Sequence, residues 1–153
     1  MPRPPARPAE QRKQDTLHRL EHDEDVWVAT AAAGGVPYLV PLSFLWDGST
    51  LLLATPATSP TGRNLRATRR TRLGIGPTRD VVMVEGTVET IAPAELSEEE
   101  GDRFATRTGF DPRRLSTPYL YFRVRPTRVQ AWREADELDG RELMRDGEWL
   151  VAD

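Results

Sequence analysis

The stretch Tyr38-Leu39-Val40-Pro41-Leu42-Ser43-Phe44-Leu45-Trp46 carries apolar residues on both of the faces that a β-strand presents. A strand at a protein surface ordinarily alternates apolar and polar side chains, because successive residues point to opposite faces of the sheet. Without that alternation, a strand is buried on both faces, or one of its faces meets a partner chain or a planar ligand. We therefore expect residues 38–46 to decide both the architecture of the protein and the position of its binding site.

Two further strands are predicted on either side of this one, at residues 26–33 and 50–55. The connecting turns have the sequences GGVP (residues 34–37) and DGS (residues 47–49). Both turns contain glycine, which reaches the positive φ angles that tight hairpin turns need. The three strands are therefore expected to form an antiparallel meander.

The rest of the chain continues the antiparallel pattern and adds short helices. The remaining elements expected from periodicity and capping are strands at residues 73–76, 81–91 and 119–132, a short helix that ends near Asp25, a helix from Pro60 to about residue 70 with Ser59 as its N-cap, and an acidic helix or helical loop at residues 93–108. No strand–helix–strand rhythm runs through the chain. The pattern favours a mainly β, α+β fold: a six-stranded antiparallel barrel flanked by short helices.

The length of 153 residues favours one main domain. Residues 1–14 are rich in proline and charge and lack periodicity, so we expect a flexible N-terminal arm. The barrel is expected to occupy residues 15–135. Residues 136–153 are expected to form an acidic C-terminal extension, with a small hairpin around Asp146-Gly147.

Composition excludes several classes of function. The chain has no cysteine and two histidines, which argues against disulfides, thiolate catalysis, iron–sulfur clusters and zinc sites. Phosphate-loop, dinucleotide-binding and nucleophile-elbow motifs are missing from the sequence. The net charge of -3 gives no reason to expect nucleic-acid binding. The sequence has no apolar run of about 20 residues and no signal-like start, so we expect a cytoplasmic protein without membrane contact.

The segment Ser59-Pro60-Thr61-Gly62-Arg63-Asn64 is the strongest chemical candidate in the chain. A helix start offers unpaired N–H groups and partial positive charge, glycine allows close approach to the backbone, and the hydroxyls and guanidinium are donors. That combination suits a phosphate. A capped surface helix with an incidental arginine explains the same residues equally well.

The order of motifs along residues 25–135 resembles the pyridoxamine 5'-phosphate oxidase-like split-barrel family, and most closely its actinobacterial flavin- and deazaflavin-using branch. The pieces that carry the resemblance are Trp27-Val28-Ala29-Thr30, residues 35–44, Leu53-Ala54-Thr55, Ser59 with Arg63-Asn64-Leu65, Arg72-Leu73, residues 84–88, and Pro126-Thr127-Arg128-Val129 through Trp132. Each piece is weak alone, and their order and spacing make the resemblance fairly specific.

The resemblance implies a six-stranded split β-barrel that forms a homodimer, with a cofactor in each of two grooves at the subunit interface. The cofactor would be FMN or, alternatively, the deazaflavin coenzyme F420. The implied cofactor-binding residues are Val40, Pro41, Leu42 and Ser43 along the ring, Thr55, Ser59, Thr61, Arg63 and Asn64 near the phosphate, and Met83 and Trp132 on either side of the ring, with the tryptophan coming from the partner subunit.

The implied activity is that of an oxidoreductase that transfers a hydride to or from a small organic substrate. FMN also reacts with oxygen by one-electron steps, whereas the deazaflavin is an obligate hydride carrier. The cofactor carries the chemistry, so no catalytic side chain is expected. The arginine and histidine set that binds pyridoxamine phosphate in the true oxidases has no match here, and vitamin B6 oxidation is not expected.

One departure from the family pattern concerns the phosphate. Family members commonly carry a basic residue three positions before the Asn of the Asn-Leu pair, and here that position is Thr61. Arg63 would then have to supply the charge. Two alternatives stay open at this point: a non-catalytic flavin or haem carrier or sensor on the same fold, and a structural dimer with an empty groove.

Overall fold

The computed structural model describes residue 2 and residues 4–152. Its three α-helices are α1 (Ala9–His22), α2 (Pro60–Thr68) and α3 (Glu98–Thr108). The strands are β1 (Asp25–Ala31), β2 (Pro37–Ser43), β3 (Leu45–Trp46), β4 (Leu51–Pro56), β5 (Arg70–Ile75), β6 (Val81–Ile91), β7 (Tyr119–Trp132), β8 (Glu142–Arg145) and β9 (Glu148–Trp149).

The strands form one curled antiparallel sheet in the order β2-β1-β5-β6-β7-β4-β3, and β8 and β9 continue from β7. The fold is therefore mainly β with three short helices, as expected. The described part of the chain has nine strands instead of six. The difference arises because residues 38–46 divide into β2 and β3, and because the C-terminal extension adds the hairpin β8–β9 around Asp146-Gly147.

Both turns of the expected three-stranded meander join antiparallel strands, but its middle strand is divided into β2 and β3, so the meander is interrupted. β1 pairs with β2, but β4 pairs with β7 and β3, not with β2. The break lies at Phe44, whose side chain is buried and whose amide donates to the carbonyl of Glu24. Burying Phe44 turns the chain away from β2, so the next strand joins the opposite edge of the sheet.

The core fills the inside of the curled sheet. Across neighbouring strands, Val28, Leu73, Val84 and Val129 stand in one row and all are buried. Burial of such side chains stabilises the fold by roughly 1.5–3 kcal/mol each. This inward row leaves the alternate residues of the same strands on the outer face.

The first helix begins earlier than expected. We expected a flexible arm over residues 1–14, but α1 begins at Ala9, and the side chains of Arg12 and Lys13 are buried. Both reach the C-terminal extension: Arg12 donates to the carbonyl of Glu137, and Lys13 to that of Val151. Two charged side chains of the expected arm therefore have hydrogen-bonding partners at the other end of the chain. Residues 1 and 3 of the expected arm and residue 153 of the extension lie outside the described residues.

We call this contact between the two ends of the chain the terminal clasp, and we define it by Arg7, Arg12 and Glu137. The guanidinium of Arg7 donates to both oxygens of Glu137, at 3.0 and 2.8 Å, and its backbone N–H donates to the same carboxylate at 2.8 Å. Glu137 is 2% exposed. The clasp thus fixes the N-terminal segment to the turn that follows β7.

In the described part of the chain, none of the helices combines the length and apolar character that crossing a membrane requires.

Candidate functional site

A cavity of about 310 Å³ opens where the ends of β1, β2 and β4 meet α3 and the start of β7. We call it the cleft. Pro41, Leu42 and Ser43 of β2 line one side, and Thr55 of β4 lies across from them. Four of the residues predicted to bind the cofactor therefore share one cavity. Its volume is at the lower end of the roughly 300–1,000 Å³ typical of ligand pockets, so it suits one ring system.

The polar side chains of the cleft carry three hydroxyls, those of Ser43, Thr55 and Tyr119, and one carboxylate, that of Asp25. The Ser43 hydroxyl donates to Oδ1 of Asp25 at 2.7 Å, which leaves its oxygen able to accept a hydrogen bond. The buried Thr55 hydroxyl lies 3.2 Å from that of Ser59, which connects the cleft to the start of α2.

The opposite wall of the cleft is aromatic. Phe104 of α3, Phe110 after that helix and Tyr119 of β7 line it. The rings of Phe110 and Tyr119 meet edge to face at 5.4 Å. Tyr121 packs against Phe104 at 5.5 Å, and its burial raises the pKa of the phenol, so it stays neutral. The wall gives a largely apolar surface across from β2.

Sequence reasoning missed this aromatic wall. The three rings come from a helix, a loop and a strand, and they meet because β4 pairs with β7, which brings Pro56 opposite Tyr119. The available signal was Phe104, the one aromatic residue in the otherwise polar α3. Knowing the β4–β7 register would have placed it beside the cleft.

The start of α2 is a capped helix end. The Ser59 oxygen accepts from the Gly62 N–H at 3.0 Å, and the hydroxyl donates to the carbonyl of Pro56 at 2.9 Å. A Cβ on Gly62 would stand 2.5 Å from that same carbonyl oxygen. Glycine is therefore required by the close approach of the chain itself, and this corrects the expectation that Gly62 makes room for a ligand.

The other predicted phosphate-binding residues divide by exposure. Thr61 is buried, and the amide of Asn64 donates to the Thr30 hydroxyl at 3.0 Å inside the protein. The Asn64 side chain thus connects α2 to β1. Arg63 is exposed, and it makes no side-chain hydrogen bond or ion pair within the described residues. Arg63 is thus the cation at this helix start that is available to a ligand.

Met83 and Trp132 lie outside the cleft of their own chain. Pro41, Trp27, Gly74 and Met83 form a row across the outer face of the sheet. Neighbouring strands are about 4.8 Å apart, so Met83 stands about 14 Å from Pro41. Trp132 lies one strand further, on β7. Val40, on the inner side of β2, packs against the core.

The outer face between these residues is apolar and open. Trp27 is 52% exposed and Leu39 is 58% exposed. Gly74 contributes no side chain between Trp27 and Met83, and a Cβ there would lie 3.8 Å from the Cβ of Trp27 and 3.7 Å from the sulfur of Met83. The outer side of β2 is thus uncovered within one chain.

A family model described as pyridoxamine 5'-phosphate oxidase matches residues 14–133. The chain belongs to this family. The match includes the cleft, α2, the outer face and Trp132, and leaves out Arg7, Arg12 and Glu137. No curated protein matches the chain at a significant level.

Solved structures share the fold at low identity. An F420 reductase is 21% identical, with a TM-score of 0.57 over 73% of this chain and 93% of that one. A FAD-binding protein from Mesorhizobium loti is 20% identical, with a TM-score of 0.63 over 76% of this chain and 89% of that one. A conserved hypothetical protein from Mycobacterium tuberculosis is 17% identical, with a TM-score of 0.64 over 81% and 86%. These likenesses establish the split-barrel fold.

Proposed function

We propose that the protein is a homodimeric oxidoreductase that binds FMN, or alternatively the deazaflavin coenzyme F420, and transfers a hydride to or from a small organic substrate. The observation that carries the proposal is the cleft, because it brings four predicted cofactor-binding residues to one cavity beside a helix start. Family membership supports a flavin-type cofactor. Similar structures described as an F420 reductase and a FAD-binding protein point the same way.

The residues of the cleft fit a flavin-type ring. The apolar edge of β2 and the aromatic wall would enclose its two faces and exclude water, which strengthens polar contacts inside. The Ser43 oxygen is free to accept from a ring N–H, because its own proton is committed to Asp25. The backbone groups of residues 41–43 supply the remaining hydrogen-bonding capacity.

The start of α2 fits the phosphate end of the cofactor. A helix N-terminus favours an anion through its partial positive charge. Since Thr61 occupies the family's usual basic position and is buried, the exposed Arg63 supplies the cation in our proposal. Thr55 and Ser59 connect the two ends of the site through their hydrogen bond.

When bound, either cofactor supplies the hydride chemistry itself. The contribution of the chain is to bind, orient and desolvate, and the cleft contains no His or Cys and only one carboxylate, that of Asp25. We therefore propose no catalytic side chain.

We propose the dimer because the outer face of the sheet exposes apolar side chains within one chain. Trp27 of β1 and Leu39 and Pro41 of the edge strand β2 present an apolar surface, and a long apolar edge is prone to pairing unless a partner covers it. A second copy would cover this face and bring its own Met83 and Trp132 toward the groove. That arrangement would complete a site that one chain leaves open.

The first experiment measures the affinity of the purified protein for FMN and for F420 by absorbance or fluorescence titration. Arg63→Ala is expected to weaken binding by about 1–3 kcal/mol through loss of a charge-assisted hydrogen bond, with an unchanged fold. Arg103→Ala is the matched control, since Arg103 is also exposed and is not among the residues that line the cleft.

Binding of FMN supports the flavin form of the proposal, and binding of F420 alone supports a deazaflavin-dependent reductase. A bound cofactor that no electron donor reduces would indicate a carrier instead of an enzyme. Failure to bind either cofactor refutes the proposal. Equal affinities for wild type and Arg63→Ala would remove Arg63 from the site.

The second experiment tests the dimer by analytical ultracentrifugation. Leu39→Glu is expected to convert the protein to monomers, because a buried unpaired carboxylate on the outer face opposes association. Leu115→Glu is the control, since Leu115 is 46% exposed but lies elsewhere. A wild-type monomer, or a Leu39→Glu variant that stays dimeric, would contradict this interface.

A further inference from the structure

The terminal clasp surrounds one residue of the proposed site, Trp132. The peptide groups on its two sides are both held by charged side chains. On one side, Arg12 Nη1 donates to the carbonyl of Ala131 at 3.3 Å. On the other side, the N–H of Arg133 donates to Oε1 of Glu137 at 2.8 Å. The backbone of Trp132 is thus fixed before and after its side chain.

The partners of these two groups are themselves fixed. Arg12 is 5% exposed, and its guanidinium also donates to the carbonyls of Arg7 and Glu137, at 3.2 and 2.9 Å. Glu137 is held by Arg7, as described above. The carboxylate of Glu137 is paired with Arg7, and the guanidinium of Arg12 is bonded to backbone carbonyls, so removing one partner leaves a buried charge or carbonyl unsatisfied.

The surrounding charges extend the clasp to the neighbouring turn. Arg7 and Arg133 both face Asp15 and Asp80, at 2.9 and 3.8 Å for Arg7 and 3.7 and 3.3 Å for Arg133. Asp80 directly precedes Val81, the residue that pairs with Trp132 across β6 and β7. The end of β7, which carries Trp132, and the start of β6, which pairs with it, therefore both lie beside the same network of charges.

We propose that Arg7, Arg12 and Glu137 are positioning residues that fix the orientation of Trp132 for the cofactor groove. This inference rests on the proposed function, in which Trp132 flanks the cofactor. The ring of Trp132 itself is only partly buried, and its polar neighbour is the guanidinium of Arg141, 5.8 Å from the ring centre. The direction of the ring consequently depends on the backbone that carries it.

The three clasp residues lie outside the part of the chain that the family model matches. The family model matches residues 14–133, which contain Trp132 but none of the three positioning residues. The tryptophan is thus part of the shared domain, and the side chains that hold it come from the flanking segments.

The test uses the whole 153-residue chain labelled with 5-fluorotryptophan. The resonances of its four tryptophans are assigned with single Trp→Phe variants. Fluorine NMR spectra without cofactor are compared for wild type, Glu137→Gln, Arg7→Lys and the control Glu134→Gln. Glu134 is a close neighbour of Trp132, but its carboxylate pairs with the exposed Arg79. Urea unfolding confirms that each variant is folded under the conditions of the spectra.

The expected result is a Trp132 resonance displaced by more than its line width in Glu137→Gln and Arg7→Lys, and unchanged in Glu134→Gln. The Kd for the cofactor that wild type binds should rise at least tenfold in the first two variants. In a Trp132→Phe background, adding Glu137→Gln should leave that Kd unchanged, since the positioned ring is already absent.

An unchanged Trp132 resonance in folded Glu137→Gln and Arg7→Lys would overturn the inference. So would a further loss of affinity on adding Glu137→Gln to Trp132→Phe, because the clasp would then act through something other than Trp132. If wild type binds neither FMN nor F420, the proposed function fails and the positioning role falls with it, whereas the resonance still reports whether the clasp holds Trp132.

Discussion

The clasp and the cleft lie in one small barrel, and their polar groups are used in opposite ways. In the clasp, the carboxylate of Glu137 and the guanidiniums of Arg7 and Arg12 are satisfied by groups within the chain. In the cleft, Ser43 keeps an acceptor, and Arg63 at the adjacent helix start has no side-chain partner in the described part of the chain.

This difference separates charges that hold the fold together from groups available to a ligand. A buried charge that loses its partner costs several kcal/mol, so the clasp tolerates little change. An exposed donor without a partner contributes almost nothing to stability. Substitutions in the clasp should therefore affect stability first, and substitutions in the cleft should affect binding first.

The largest expected effect concerns the acid stability that Glu137 provides. Hydrogen bonds from Arg7 lower the pKa of the Glu137 carboxyl from its ordinary value of 4.5 to about 2, and those from the backbone N–H of Arg7 and Arg133 add to them, while burial opposes. Since the pKa is lower in the folded state, the stabilisation is present above about pH 4.5 and is lost as the pH falls toward 2. It amounts to about 3 kcal/mol.

In urea unfolding between pH 2 and 7, Glu137→Gln should unfold with a free energy about 3 kcal/mol lower than wild type at neutral pH. The two curves should converge as the pH approaches 2. Glu134→Gln should follow wild type throughout, since its partner Arg79 is 80% exposed and such pairs contribute little. If the unfolding free energies of wild type and Glu137→Gln ran parallel over the whole pH range, the Glu137 carboxylate would not provide this pH-dependent stabilisation.

The smallest expected effect compares two helix caps. Ser59→Ala and Ser97→Ala each remove an N-cap hydroxyl, that of Ser59 bonded to Gly62 and that of Ser97 to Glu100, so each should cost about 1 kcal/mol of unfolding free energy. Only Ser59→Ala also removes the hydrogen-bonding partner of Thr55 in the cleft. Cofactor affinity should therefore fall in Ser59→Ala and stay at the wild-type value in Ser97→Ala. Equal cofactor affinities in the two variants would show that the Ser59 cap does not contribute to cofactor binding.

The sequence predicted the elements whose pattern is local. Strands expected at residues 81–91 and 119–132 are β6 and β7 with the same bounds, because apolar residues alternate clearly along both. The partner of β4 was missed, since pairing between distant strands leaves no local pattern. The start of α1 was missed because its charges find partners about 120 residues away, in the C-terminal extension.

In the candidate site, too, some positions followed from a local sequence pattern, and others depended on packing. Pro41, Leu42 and Ser43 stood out because an apolar strand that lacks alternation needs a cover, and they line the cleft. Thr61 and Asn64 have side chains suited to an anion, but burial turns them toward the sheet. Residue type indicates what a side chain can bind, whereas packing decides which way it faces.

The pairing of β4 with β7 also has a consequence for how the protein folds. It joins residues such as Leu51 and Val124, which lie far apart in the chain, so closing it costs more chain entropy than forming the local β1–β2 hairpin. One wall of the cleft comes from β2, before β4 in the chain, and the aromatic wall comes from residues of α3, β7 and the loop between them, after β4. The pairing of β4 with β7 brings the two walls together. We therefore expect the cleft to assemble late during folding and to open early during unfolding. A ligand that bridges its walls would then slow the unfolding reaction as well as shift its equilibrium.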